Sequence, residues 1–332
     1  MITPLLMTLG VALVLALLFA PFEALRWWAT QGARESRETA AALRDIRRSI
    51  EVARSATLPQ LDDRSCYVVY LSGVGAVDHE VSPEGEGPLL DDLRTRMPDT
   101  LLISDVYPYS PSNLPLLSGR WSSWWWRLIE RWGRGRFTSV LQFLVYLRNV
   151  LQFAVSADDR YGPMYSLGVA GVIWDRLQAS GYRPGCGRPV VLFGWSGGAQ
   201  IALSAAWYLT GAGMPVYLLS LGGVITSDPG LDRITHVWHI KGTRDWVQGI
   251  GALFPGRWPG RSNTFWARAV DDGRITIRTV GAMGHLGRGS YLSRSRTPDG
   301  RTCREVVADT IVDILREAGL TKAPPGDSGK TP

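Results

Sequence analysis

From Val190 the chain reads VVLFGWSGGAQIAL, a segment that few folds can accommodate. A short apolar run with no polar face is a strand buried on both sides, as in a parallel sheet covered by helices. Here the run enters Gly194-Trp195-Ser196-Gly197-Gly198 and passes without a linker into a helix-favouring stretch, roughly Ala199 to Thr210. A strand that turns at once into a helix needs residues without a Cβ at the turn, because the two backbones crowd one another there. In a chain with 37 glycines the G-x-S-x-G pattern is weak by itself. Its place between a strand and a helix is what gives it weight.

The surrounding pattern agrees. After Pro59, strands at Cys66 to Leu71, Thr100 to Val106, Val190 to Phe193, Val216 to Leu221, Val237 to Ile240 and Ile275 to Val280 alternate with helical stretches. The helices are expected at Leu89 to Met97, Pro163 to Ser180, Ala199 to Thr210 and Cys303 to Ala318. This alternation predicts an α/β fold with a mostly parallel central sheet and helices on both faces, over residues 59–320.

Three segments stand outside that domain. Ile2 to Phe22 is 21 residues without a charge, enough for a helix of about 30 Å to cross a bilayer. No Lys or Arg precedes it, which favours an N-terminal transmembrane anchor (residues 1–23) over a cleaved signal peptide. Arg26, Arg34 and Arg37 follow closely, with Trp27 and Trp28 at the interface, so the bulk of the chain is expected on the cytoplasmic side. Residues 24–58 read as a helical stalk or as a helix lying on the domain. Between strands, residues 108–162 form an insertion in which Trp121, Trp124, Trp125, Leu128 and Trp132 share one helical face. Basic and tryptophan-rich, it reads as a helical lid, packed on the core or touching the bilayer. Its second apolar stretch, Phe137 to Val155, carries Arg148, Gln142, Asn149 and Gln152, which makes a further span expensive. Residues 321–332 are expected to be a disordered tail.

Composition narrows the chemistry. The net charge of +6 comes from scattered arginines that follow no nucleic-acid motif, so membrane lipid is the better expected partner. Cys66, Cys186 and Cys303 are too few and too far apart for a disulfide framework or a zinc site, which points to a reducing compartment. No ligand cluster or phosphate-cradling glycine loop with its lysine occurs, so no metal or nucleotide cofactor is expected. Oligomeric state has no signature.

A serine hydroxyl needs a base to act as a nucleophile. If Ser196 is the nucleophile, a histidine should follow late in the chain with an acid between. Of four histidines, His79 precedes the serine, and His236 and His239 sit on or beside a strand pattern as core or surface residues. His285, in Gly281-Ala282-Met283-Gly284-His285-Leu286-Gly287, directly follows the last expected strand. A structural role is the alternative there. Asp245 follows the strand Val237 to Ile240 at the carboxyl edge and is the favoured acid. Asp228, before Pro229, is the alternative acid, although such a residue is also a common turn former. Asp271 and Asp272 before Gly273 read as a hairpin-like turn. The amide of Gly197, at the helix start, points where an oxyanion would form.

The strand, elbow and helix at Gly194 to Gly198, with Asp245 and His285 after later strands, resemble the α/β-hydrolase superfamily over about residues 60–320. The resemblance implies a serine hydrolase with a Ser196, His285 and Asp245 triad. It also implies an oxyanion hole completed by the loop after Cys66 to Leu71, with Gly73 and Val74 as candidates. No His-Gly dipeptide stands there. The expected activity is cleavage of an acyl ester, hydrophobic or lipid-like because the site is tethered at a membrane. A thioesterase or amidase would use the same residues. A non-catalytic membrane binding protein of the same fold is the reading from a different class.

Overall fold

The computed structural model describes residues 64–74, 85–106, 108, 162–183 and 185–322. The expected anchor, the stalk, nearly all of the 108–162 insertion and residues 323–332 lie outside the described residues. Among those described, no helix is long and apolar enough to cross a membrane.

Among the described residues six strands form one sheet: β1 (Cys66–Leu71), β2 (Thr100–Val106), β3 (Val190–Trp195), β4 (Val216–Leu221), β5 (His236–Lys241) and β6 (Ile275–Thr279). Their spatial order is β2-β1-β3-β4-β5-β6, and every pairing is parallel. Five α-helices accompany them among the described residues: α1 (Glu86–Arg96), α2 (Gly162–Ala179), α3 (Gly197–Gly211), α4 (Phe265–Asp271) and α5 (Cys303–Glu317). Because side chains alternate along a strand, the sheet feeds two cores. Tyr67, Val69, Leu71, Val190 and Leu192 pack on one side with Ile173 and Leu177 of α2 and Ile201 and Ala205 of α3. Cys66, Val68, Tyr70, Val191 and Phe193 pack on the other with Leu89 and Leu93 of α1 and Val307 and Ile311 of α5. β1 and β3 are buried on both faces along their whole length, which is why they read as unbroken apolar runs.

Three expectations need correction. The helix expected at Leu89 begins at Glu86, behind Gly85 with φ +104°. Asp271 ends α4 and Asp272 caps it before β6, so the turn at Gly273 joins a helix to a strand and is not a hairpin. The tail expected from residue 321 is pinned at its start: Thr321 is buried and donates to Asp99 Oδ1 at 2.6 Å, and the Lys322 amide donates to Asp99 Oδ2 at 2.8 Å.

Candidate active site

β3 ends at Trp195 and α3 begins at Gly197, leaving Ser196 alone to make the turn. Its backbone has φ 52° and ψ −125°, and it is the one non-glycine residue with positive φ among the described residues. A serine in this region costs about 1–3 kcal/mol, a strain the surrounding packing must hold. The flanking glycines show how tight that packing is. A Cβ on Gly194 would lie 2.3 Å from the Ala199 Cα, and one on Gly198 would lie 2.5 Å from the carbonyl oxygens of Leu71 and Ser72. The elbow thus presents Ser196 at the carboxyl edge of the sheet, at the N-terminus of α3, where amides are unpaired within the helix and the dipole favours negative charge.

The other two expected residues reach it there. Asp245 follows β5 and His285 follows β6, and the two loops are tied by the Thr243 amide to Gly281 O at 2.8 Å and the Arg244 amide to Met283 O at 3.2 Å. Ser196 Oγ lies 2.8 Å from His285 Nε2, and His285 Nδ1 lies 3.0 Å from Asp245 Oδ2. A carboxylate only accepts, so Nδ1 carries its proton toward Asp245 and Nε2 is left to accept from the serine hydroxyl. Gly197 opens α3 directly beside Ser196. Gly73 is close by, since a Cβ there would fall 3.3 Å from the Ser196 Cβ and 2.8 Å from Trp195 Cδ1. Val74, next along, is half-buried against one of the two cores.

Asp245 is held on both oxygens. Oδ1 accepts from the amides of Val247 at 2.9 Å and Gln248 at 3.4 Å, and Oδ2 accepts from Tyr291 Oη at 2.8 Å as well as from His285. Burial would raise its carboxyl, but the hydrogen bond and electrostatic attraction of His285, with the bonds from Tyr291 and the Gln248 amide, outweigh that and hold it below the usual carboxylate range. The alternative acid goes elsewhere. Asp228 caps the 3-10 turn Pro229–Asp232, accepting from the Gly230 amide at 2.7 Å, from Gln200 Nε2 at 2.9 Å and from the Ser204 hydroxyl.

Several contributors were not read from the sequence. Trp195, inside the motif itself, stacks on the His285 ring with centroids 4.7 Å and planes 13° apart. Its place on β3 signalled burial but not this partner. Gly222, with φ +51°, leaves space that a Cβ would close to 3.0 Å from Asp245 Oδ2. Behind the acid, Gln248 Nε2 donates to the carbonyls of Gly242 at 3.1 Å and Asp245 at 2.9 Å. Its Oε1 therefore faces His239 Nε2 at 3.1 Å, so that nitrogen must donate and His239 Nδ1 accepts from Ser220 Oγ at 3.0 Å. Burial pushes His239 down to about 4 and so keeps it neutral, in keeping with a core role. Among the described residues no group of three His, Cys, Asp or Glu side chains is placed to hold a metal ion.

Fold and site together define an α/β protein with a fully parallel described sheet and a hydrogen-bonded serine, histidine and aspartate at its carboxyl edge. No protein-family model matches the chain, and no curated protein does. Among solved structures it is similar to a carboxylesterase from Lactobacillus plantarum, at 13% identity, covering 81% of this chain and 91% of that one with a TM-score of 0.40. It is also similar to an esterase from Pyrobaculum calidifontis, at 12% identity, covering 79% and 80% of the two chains with a TM-score of 0.42.

Proposed function

We propose that the protein is a membrane-anchored serine hydrolase that cleaves an acyl ester through an acyl-enzyme. The observation that carries this reading is the continuous chain from Ser196 Oγ to His285 at 2.8 Å and from His285 to Asp245 at 3.0 Å, built on a strained elbow. Ser196 Oγ attacks the ester carbonyl carbon while its proton passes to His285 Nε2. Asp245 holds the imidazole tautomer and stabilises the imidazolium. The tetrahedral oxyanion is met by the Gly197 amide, with Gly73 or Val74 as the second donor. As the intermediate collapses, His285 returns the proton to the leaving alcohol. Water, deprotonated by the same histidine, then attacks the acyl-enzyme, and the carboxylic acid leaves with Ser196 restored.

A hydrophobic or lipid-like acyl chain is the substrate class we favour. Trp246 and Leu286, each next to a triad residue, are 76% and 68% exposed, an apolar surface beside the chemistry. The uncharged run at residues 2–22 supports the anchor, and the arginines after it support a cytoplasmic catalytic domain with membrane lipid as partner. Thioester or amide cleavage would employ the same groups.

The test is covalent labelling of the full chain in detergent by a fluorophosphonate, which reports an activated serine. Wild type should label at Ser196, and Ser196→Ala and His285→Ala should not. A folded wild type that stays unlabelled would leave the binding-protein reading standing instead. If the active protein cleaved only short polar esters and ignored long acyl chains, the lipid-like substrate would be abandoned.

A further inference from the structure

Building on the serine-hydrolase reading, we propose that Tyr291 is a positioning residue of the same apparatus, whose hydroxyl locks the Asp245 oxygen that faces His285. Tyr291 is fully buried beyond β6, and its hydroxyl has two partners: the Gly242 amide at 2.7 Å and Asp245 Oδ2 at 2.8 Å. An amide can only donate, so the hydroxyl accepts from Gly242 and its single proton is directed to Asp245. That oxygen is the one His285 Nδ1 also uses. With the Val247 and Gln248 amides on Oδ1, the carboxylate has donors on both oxygens and no freedom to rotate away from the imidazole.

The ring has a second purchase on the site. It meets Trp195 edge-on at 5.5 Å, and Trp195 in turn lies flat under His285. One buried side chain therefore braces the acid by a hydrogen bond and, through a tryptophan, the base. Burial raises the phenol further above its usual pKa, so the hydroxyl stays a donor throughout the working pH range. A neutral donor on Oδ2 also draws charge from the carboxylate. Without it, Asp245 would hold the imidazolium proton more firmly, and the histidine would be freed to act as a base only at higher pH.

The experiment measures the rate of fluorophosphonate labelling at Ser196 against pH, using the full chain in detergent. Wild type is compared with Tyr291→Phe and with protein carrying 3-fluorotyrosine at position 291, whose more acidic hydroxyl is a stronger donor. Tyr291→Phe should label about tenfold more slowly at neutral pH, and the acidic limb of its profile should move to higher pH. The fluorotyrosine protein should move that limb to lower pH. A residue that merely filled space would change stability without shifting the limb in opposite directions. Labelling of Tyr291→Phe at the wild-type rate with an unmoved limb overturns the inference. Should the phenylalanine variant not fold, the fluorotyrosine protein decides, and an unmoved limb there overturns it equally. An unlabelled wild type removes the serine-hydrolase reading and this inference with it, a pattern unlike that of a labelled wild type with indifferent variants.

Discussion

Asp228 and Asp245 both follow strands, both are buried and both accept at least three hydrogen bonds, yet only Asp245 meets a histidine. The difference shows in what each substitution should do. Asp228→Ala leaves the Gly230 amide and the Gln200 amide group short of an acceptor, and should cost about 1–3 kcal/mol of stability in urea unfolding. Its labelling rate at Ser196 should be unchanged. Asp245→Ala should instead slow labelling by about a thousandfold, since the imidazole loses its tautomer and its charge partner. Equal losses of labelling in the two variants would sink the assignment of the acid. At the elbow, Gly194→Ala pushes a methyl into the backbone of Ala199 and should destabilise the fold by about 1–3 kcal/mol while also displacing Ser196. A drop in both thermal midpoint and labelling rate is the expected result.

Helix ends repeat the lesson in another form. α5 was legible almost to the residue from its periodic pattern, and in the structure Thr302 and Glu305 form a reciprocal capping box at its start. Thr302→Ala should therefore cost about 1 kcal/mol in unfolding experiments, with Ser196 labelling untouched. α3 was legible as a helix but not at its start. Two glycines are poor helix formers, so propensity alone begins the helix at Ala199. The elbow overrides this, because the chain leaving Ser196 has to enter the helix at once. α4 escaped notice altogether: its seven residues are two turns, too few to show a period, and what holds them is the Thr264 cap and the packing of Trp266 against Arg257.

In the molecule as a whole, the pH dependence of stability should be set first by a residue outside the Ser196, His285 and Asp245 chain of hydrogen bonds. Burial is the main cause that pushes His239 down to about 4, opposed by the Gln248 bond and by Asp245, and assisted by the charges of Arg257 and Lys241. Its folded value lies below the ordinary 6.5, so the unfolded chain binds the extra proton and stability falls as pH drops between those two values. The loss should total about 3 kcal/mol by pH 4. His236, also lowered by burial, adds in the same direction. Asp245, lowered in the fold, loses its contribution only below the ordinary carboxylate value of 3.8. Urea unfolding at pH 7 and pH 4.5 should show the decline, and His239→Gln should flatten most of it. An unaltered slope in that variant would mean another group is responsible. The strands, their mostly parallel arrangement, Ser196 at its elbow and the late histidine were all written in local patterns, because burial on two faces and the absence of Cβ atoms at a turn constrain residues close together in the chain. That Asp245 and not Asp228 meets His285, the tryptophan under the imidazole, the Gln248 and His239 relay and the tyrosine behind Asp245 are products of folding alone. Those contacts join residues from different loops at one sheet edge, and nothing in the spacing of a sequence records which side chains the sheet will bring face to face.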